Sequence, residues 1–396
     1  MKKYLSLLLA VVLTIAVATV FTACGETNYA ADNTEYVIGV SGPLTGGASV
    51  YGVAVANSAQ MAVDEINAAG GLNGVNFKLV AVDDMHDPTK ISTNYASLYE
   101  GGMQVSLGTV TTAPGLEFTN LSAEDNVFFL TPSASGDKIP ANDNGYQMCF
   151  ADGNQGKVAA DYVNGIYAGQ TIGIFYKSDD PYSQGIYEQF KANLDKTITT
   201  VEAVFTDANT SDFSSQIETL KDCSFIFMPI YYTPASLFMT QAKAIVAPGA
   251  IYYGCDGFDG INSAEGFDIY AIPQEVSMLS HFNSNATEGA AKEFIDKYTN
   301  KYGVETLNQF GASAYDCVYA LYNAMKKAID EGEDIPVGIA PSDLCEILKA
   351  QFKGDFTYSG VTGDNITWED NGYVSKTAIK YVVKEVTVNE PVVDEK

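Results

Sequence analysis

Tyr36-Val-Ile-Gly-Val-Ser-Gly-Pro-Leu-Thr-Gly46 is the first of several phrases in fixed order, and Tyr51-Gly52 and Ile66-Asn-Ala-Ala-Gly-Gly-Leu-Asn-Gly74 follow closely. Residues 36–40 read as a short apolar strand and 41–47 as a Gly/Pro turn. Residues 51–69 read as a helix with Ala56, Ala59, Val63 and Ile66 on one face, stopped by Gly70-Gly71. A strand at 77–82 runs into Asp83-Asp84. Asp87-Pro88 then starts a second helix, with Asp87 as N-cap and Pro88 at its first position. Strand 104–107, helix 115–125 and strand 127–130 continue the alternation. This is the α/β pattern: a parallel sheet covered by helices on both faces, with ligands off the carboxyl ends of the strands.

The pattern restarts after Asp152. Helices at 156–167, 184–194, 212–220 and 234–244 alternate with strands at 171–176, 201–205, 225–229, 251–253 and 269–272, and residues 376–384 form a late strand. One sheet would need too many strands, so the chain divides into two lobes.

Lys2-Lys3, then an uncharged Leu/Val/Ala-rich stretch at 5–23 ending at Cys24, is the pattern of an export signal. Thr22, Ala23 and Gly25 around Cys24 resemble a lipoprotein signal cut before that cysteine and acylated on it. Residues 1–23 would be the leader and 24–35 a polar tether, although Phe21 replaces the usual Leu or Val. An uncleaved membrane helix is the alternative. Either outcome places the remainder outside the cytoplasm, at the cell surface or in the periplasm.

The formal charge is −27, and loss of Lys2 and Lys3 leaves −29. Such a surface repels nucleic acid and anionic lipid. All 22 basic residues are lysine. Without a guanidinium fork, an anionic ligand group must be held by backbone N–H groups, hydroxyls, helix N-termini or a lysine. Cys149, Cys223, Cys255, Cys317 and Cys345 are too scattered for a disulfide framework or a zinc site.

Taken in order, the phrases at 37–46, 51–52, 66–74 and 83–84, together with Leu130-Thr-Pro-Ser-Ala-Ser135, resemble the Leu/Ile/Val-binding family of extracytoplasmic solute-binding proteins, the receptors of ABC importers. The resemblance implies the type I periplasmic-binding fold, in which two Rossmann-like α/β lobes with parallel sheets are joined by a three-segment hinge. Lobe 1 would hold residues 36–152 and 276–360, including helices at 286–302 and 311–328 that return to it; lobe 2 would hold 153–275 and 361–390. The disulfide common in the family is absent, its positions being His86 and Thr111.

The same resemblance implies a ligand site. Thr112 matches the hydroxyl that takes a ligand carboxylate, Ser133 a backbone contact and Ser135 a hydroxyl contact. Asp256 matches the acid, usually glutamate, that pairs with an α-ammonium. Tyr51, Tyr182, Tyr232 and Phe310 match aromatic walls, and Tyr231 stands where glycine is common, which would shrink the pocket. Taken singly, each Ser or Thr reads first as a turn or cap residue, and Asp256-Gly257 equally as a turn. The implied function is capture of a small neutral amino acid, branched-chain or otherwise aliphatic, and its delivery to the permease subunits of an ABC importer. The carrier would be a lipid-anchored monomer without cofactor, metal or nucleic acid. A ligand-sensing module of the same fold, signalling to another envelope protein, is the alternative.

Signs of catalysis are weak. His86 and His281, the two histidines, read as surface residues, and no nucleophile elbow, zincin or Walker motif occurs. Ser135-Gly-Asp-Lys138 fits Ser-x-x-Lys without that motif's usual partners. Asp83, Asp84 and Asp87 are explained by a turn and an N-cap, and Trp368 has no reading.

Overall fold

The computed structural model describes residues 27–384; the leader, Cys24 and the chain after Lys384 lie outside the described residues. The first sheet is formed by β1 (Tyr36–Gly42), β2 (Phe77–Asp83), β3 (Val105–Thr109), β4 (Phe129–Thr131) and β5 (Gly145–Gln147), ordered β2-β1-β3-β4-β5 and wholly parallel. Every residue of β1 is buried, as expected of a strand with a neighbour on each side and helices above and below. The intervening helices are α1 (Ser49–Ala68), α2 (Ile91–Glu100) and α3 (Thr112–Glu124).

After α4 (Asp152–Ile166) comes a second sheet. Its strands are β6 (Thr171–Lys177), β7 (Thr199–Phe205), β8 (Phe225–Met228), β9 (Ile251–Gly254) and β10 (Glu275–Ser280), interleaved with α5 (Pro181–Asn193), α6 (Ser214–Leu220) and α7 (Tyr232–Ala242). The chain then returns to the first lobe as α8 (Gly289–Tyr302), α9 (Gln309–Asp330), α10 (Pro341–Phe352) and the hairpin β11 (Tyr358–Gly360) to β12 (Gly363–Ile366). It crosses once more to add β13 (Ile379–Lys384) antiparallel to β10, which gives the order β13-β10-β9-β8-β6-β7. Three segments thus cross between the lobes, as the two-lobed α/β architecture requires.

Several details differ from the sequence expectations. Residues 269–271 form a 3₁₀ turn, and the strand expected there is β10, six residues further on, so residues 276–280 belong to the second sheet. Residues 361–375 stay with the first lobe: Trp368 Nε1 donates to the Gln147 carbonyl at 2.8 Å, and its ring packs on Phe352 and Phe356. The polar segment before β1 is not free. Asn28 donates to the Gly338 carbonyl at 3.0 Å, Asn33 to that of Gly102 at 2.8 Å, and Ala30 is fully buried.

The Tyr51-Gly52 phrase has a steric basis, because a Cβ on Gly52 would lie 2.2 Å from the Pro43 carbonyl oxygen. Only glycine lets α1 approach the turn after β1 so closely.

The returning hairpin is held by buried Asp316 of α9. Its carboxylate accepts from Tyr358 Oη at 2.9 Å, from the N–H groups of Val361 and Thr362 at 2.8 Å each, and from the Thr362 hydroxyl. Asp316→Ala leaves these donors buried without a partner and is expected to lower stability by about 3 kcal/mol or more, read as a lower urea midpoint.

Candidate functional site

The carboxyl ends of both sheets face one cleft, and a small pocket that side chains almost fill, with about 10 Å³ of free space, lies across it. Tyr51, Val110, Thr111, Thr112, Ser133 and Ser135 line it from the first lobe with Phe310; Tyr182, Tyr231, Asp256 and Gly257 line it from the second. Seven of the eight ligand residues expected from sequence therefore converge on one space. Tyr232 is the exception. It stands edge-on to Tyr51 at 5.2 Å and faces a neighbouring cleft of about 830 Å³ that is open to solvent.

Tyr231 takes the wall position instead. Its ring stacks on Tyr182 at 4.5 Å and 14°, meets Tyr51 at 5.9 Å and abuts the half-buried His86 edge-on at 5.1 Å. It lines both the inner cavity and the outer cleft, and so divides them. A sequence phrase such as Tyr231-Tyr232 at a helix start does not reveal which ring turns inward. Neither histidine is a surface residue: His86 Nδ1 bonds Thr111 Oγ1 at 2.9 Å, and His281 is enclosed by Phe150 and by Ser313 Oγ at 2.7 Å.

The lobes are latched together. Tyr51 Oη donates to the Gly257 carbonyl at 2.5 Å and accepts from the Tyr232 N–H at 3.3 Å. Thr233 donates to the Gly47 carbonyl at 2.6 Å, and the Gln309 N–H to Asp259 Oδ2 at 2.8 Å. The first residues of α1, α3, α5, α7 and α9 all lie here, so helix N-termini as well as strand ends surround the cleft.

One end of the cavity is uncharged and donor-rich. Thr112 is the first residue of α3, which starts one turn earlier than its sequence suggested. Its Oγ1 accepts from the Gly136 N–H at 3.2 Å, which leaves the hydroxyl hydrogen to donate. Ser133 and Ser135 stand beside it on the loop after β4.

The opposite end is acidic. Asp256, only 1 % exposed, accepts from Tyr182 Oη at 2.5 Å through Oδ1, and its N–H donates to Gln155 Oε1 at 2.9 Å. Its other carboxylate oxygen, Oδ2, is buried without a protein partner. Gly257 is required next to it, because a Cβ there would come within 2.6 Å of Tyr182 Oη. Burial pushes the Asp256 carboxyl up to about 6, against hydrogen bonds from Tyr182 and Gln155 that favour the charged form. No lysine lines the cavity. Lys177, on the rim of the outer cleft, is engaged by Asp207 at 2.7 Å.

Sequence reasoning missed Asp152, at the start of α4. It is fully enclosed, its carboxylate meets the Ser135 hydroxyl, and its pKa is raised well above the ordinary range, first by burial and then by the charge of Asp256. An acid at a helix start reads as a cap, and nothing in its neighbours announces a second carboxylate near the first.

Residues 35–384 match the model of the periplasmic binding protein family. The leucine-, isoleucine-, valine-, threonine- and alanine-binding protein of Pseudomonas aeruginosa is 26 % identical over 85 % of this chain and 86 % of its own. Among solved structures, the branched-chain amino acid transporter substrate-binding protein LivJ of Streptococcus pneumoniae, in complex with isoleucine, superposes with a TM-score of 0.71 at 24 % identity, covering 88 % of this chain and 100 % of that one. A solute-binding protein of an R. palustris ABC transporter, in complex with benzoate, gives 0.74 at 17 % identity over 89 % and 94 %.

Asp256 supplies a pH test of its environment. With the folded pKa raised from 3.8 to about 6, the folded state binds more protons than the unfolded state in that window. Its contribution therefore turns destabilising as pH rises through it. Asparagine cannot ionise, so ligand-free Asp256→Asn should gain on the order of 3 kcal/mol relative to wild type between about pH 4 and about pH 7, measured by urea unfolding.

Proposed function

This chain belongs to the periplasmic binding protein family, whose members are solute-binding proteins and not enzymes, and on that premise we propose that it captures a small neutral aliphatic amino acid between its lobes. Delivery to the permease of an ABC importer, and anchoring through acylated Cys24, are parts of the same proposal.

The observation that carries it is the polarity of the cavity. A buried carboxylate with one unpartnered oxygen, Asp256 Oδ2, stands at one end, and the hydroxyl group of Thr112 with Ser133 at the other. A zwitterion satisfies both at once, because its ammonium donates to Asp256 and its carboxylate accepts from neutral donors at the start of α3. That second arrangement is what a chain without arginine can offer. Tyr51, Tyr182, Tyr231 and Phe310 enclose the remainder. Of the relatives named above, one is named for binding leucine, isoleucine, valine, threonine and alanine, one is solved with isoleucine and one with benzoate, which lacks an ammonium.

Binding across the cleft would drive closure, since only the closed form offers both ends of the site together. Contacts such as Tyr51 to Gly257 would then hold the shape that a permease recognises.

Thermal-shift screening of the twenty amino acids tests this, a ligand at 100 times its Kd adding about 2.7 kcal/mol. Small aliphatic members should give the largest shifts, and no shift from any of them removes the proposal. Asp256→Asn should weaken valine by more than about thirtyfold, roughly 2 kcal/mol, with isovalerate, which lacks the ammonium, nearly unaffected in calorimetry.

A further inference from the structure

Asp256 does not stand alone. Asp152 begins α4, and its N–H donates to the Ser135 carbonyl at 2.8 Å while its carboxylate meets the Ser135 hydroxyl. Gln155, one turn along α4, links the two acids, with Nε2 donating to Asp152 Oδ1 at 3.4 Å and Oε1 accepting the Asp256 N–H at 2.9 Å. Each acid has one buried oxygen, Oδ2, without a protein partner. Both belong to the second lobe, so the pair persists whether the cleft is open or closed.

The surroundings offer no counter-charge. Acids come from three sides: Asp180 at the start of α5, Asp137 from the loop after β4, whose carboxylate is bound to the Gly153 N–H, and Asp259. The remaining titratable neighbours are the phenols of Tyr182, Tyr231 and Tyr373 and the thiols of Cys149 and Cys255. Lys376 acts on Cys149 but bonds Thr362, and Lys177 bonds Asp207; among the described residues neither reaches the two carboxylates.

A single ligand ammonium brings one positive charge to two buried carboxylates. Two like charges this close in a dry site do not both persist, and the second must be neutralised by a proton. Opening the cleft returns water to the pair and removes that demand. We infer that closure on an amino acid is coupled to uptake of one proton by the Asp152–Asp256 pair, with Asp256 facing the ammonium and Asp152 behind it as the positioning residue that holds the proton. The proton comes from solvent and returns there on release. This rests on the amino-acid reading above.

The sign follows. The bound form holds more protons than the free form, so affinity falls as pH rises toward the raised value of Asp152. At lower pH the ionisation of Asp256 limits binding instead. Affinity should therefore rise through the ordinary carboxyl range, stay level up to about pH 6 and fall by up to about tenfold per unit above it. Asp152→Asn keeps a neutral side chain of the same shape and should lose the falling limb.

The experiment is calorimetry of the full chain with valine and with alanine, at about pH 7, in buffers of different ionisation heat. The expected result is uptake of between about half and one proton by wild type and none by Asp152→Asn. Binding without proton exchange in wild type, or equal uptake in Asp152→Asn, overturns the inference and leaves the amino-acid reading intact. No heat from either amino acid removes both. The wild-type measurement decides on its own if Asp152→Asn does not fold.

Discussion

A carboxylate taken out of water needs hydrogen-bond donors or a cation, and at the centre of this protein Asp256 receives only half of what it needs. Tyr182 satisfies one of its oxygens at 2.5 Å and nothing among the described residues satisfies the other. The cleft, its aromatic enclosure and the latches across it are arranged around that deficit. Tyr182 stacks on Tyr231, which meets Tyr51, which bridges to the loop carrying Asp256 through the Gly257 carbonyl. Moving any one of these rings disturbs the others, so the walls of the cavity and the contact between lobes form a single unit.

The lack of arginine shapes the other end. A guanidinium placed for a ligand carboxylate would also have been able to neutralise Asp256 or Asp152, and the pocket would then be satisfied when empty. With hydroxyls and a helix start as its only donors, the site has acids that no basic residue contacts. The surplus of negative charge points to a guest that supplies the positive charge.

Much of this could be read from the chain before the fold was known. The two runs of alternating strands and helices are strongly periodic, and the division into two α/β lobes follows directly. The loops after strands β3, β4 and β9 could be matched because Gly, Pro, Ser and Thr mark them clearly. What escaped detection had weak local signals. β5 is three residues long, too short for any period, and β10 was displaced by the apolar stretch at residues 269–272, which the tertiary context folds into a turn. Trp368 acquires meaning only through Phe352, Phe356 and the Gln147 carbonyl, all distant along the chain. The exchange of Tyr231 for Tyr232, and the presence of Asp152 behind Asp256, depend on side-chain direction and on proximity between residues far apart in the chain, neither of which a linear pattern encodes.

β13 is the last described element of the chain and forms the outer edge of a sheet whose other strands end at Ser280. Synthesis proceeds from the N-terminus, so β10 remains an uncovered rim while roughly a hundred further residues are made, including the helices that finish the first lobe. The nascent polypeptide thus keeps an adhesive border along β10 until residues 379–384 emerge to cover it.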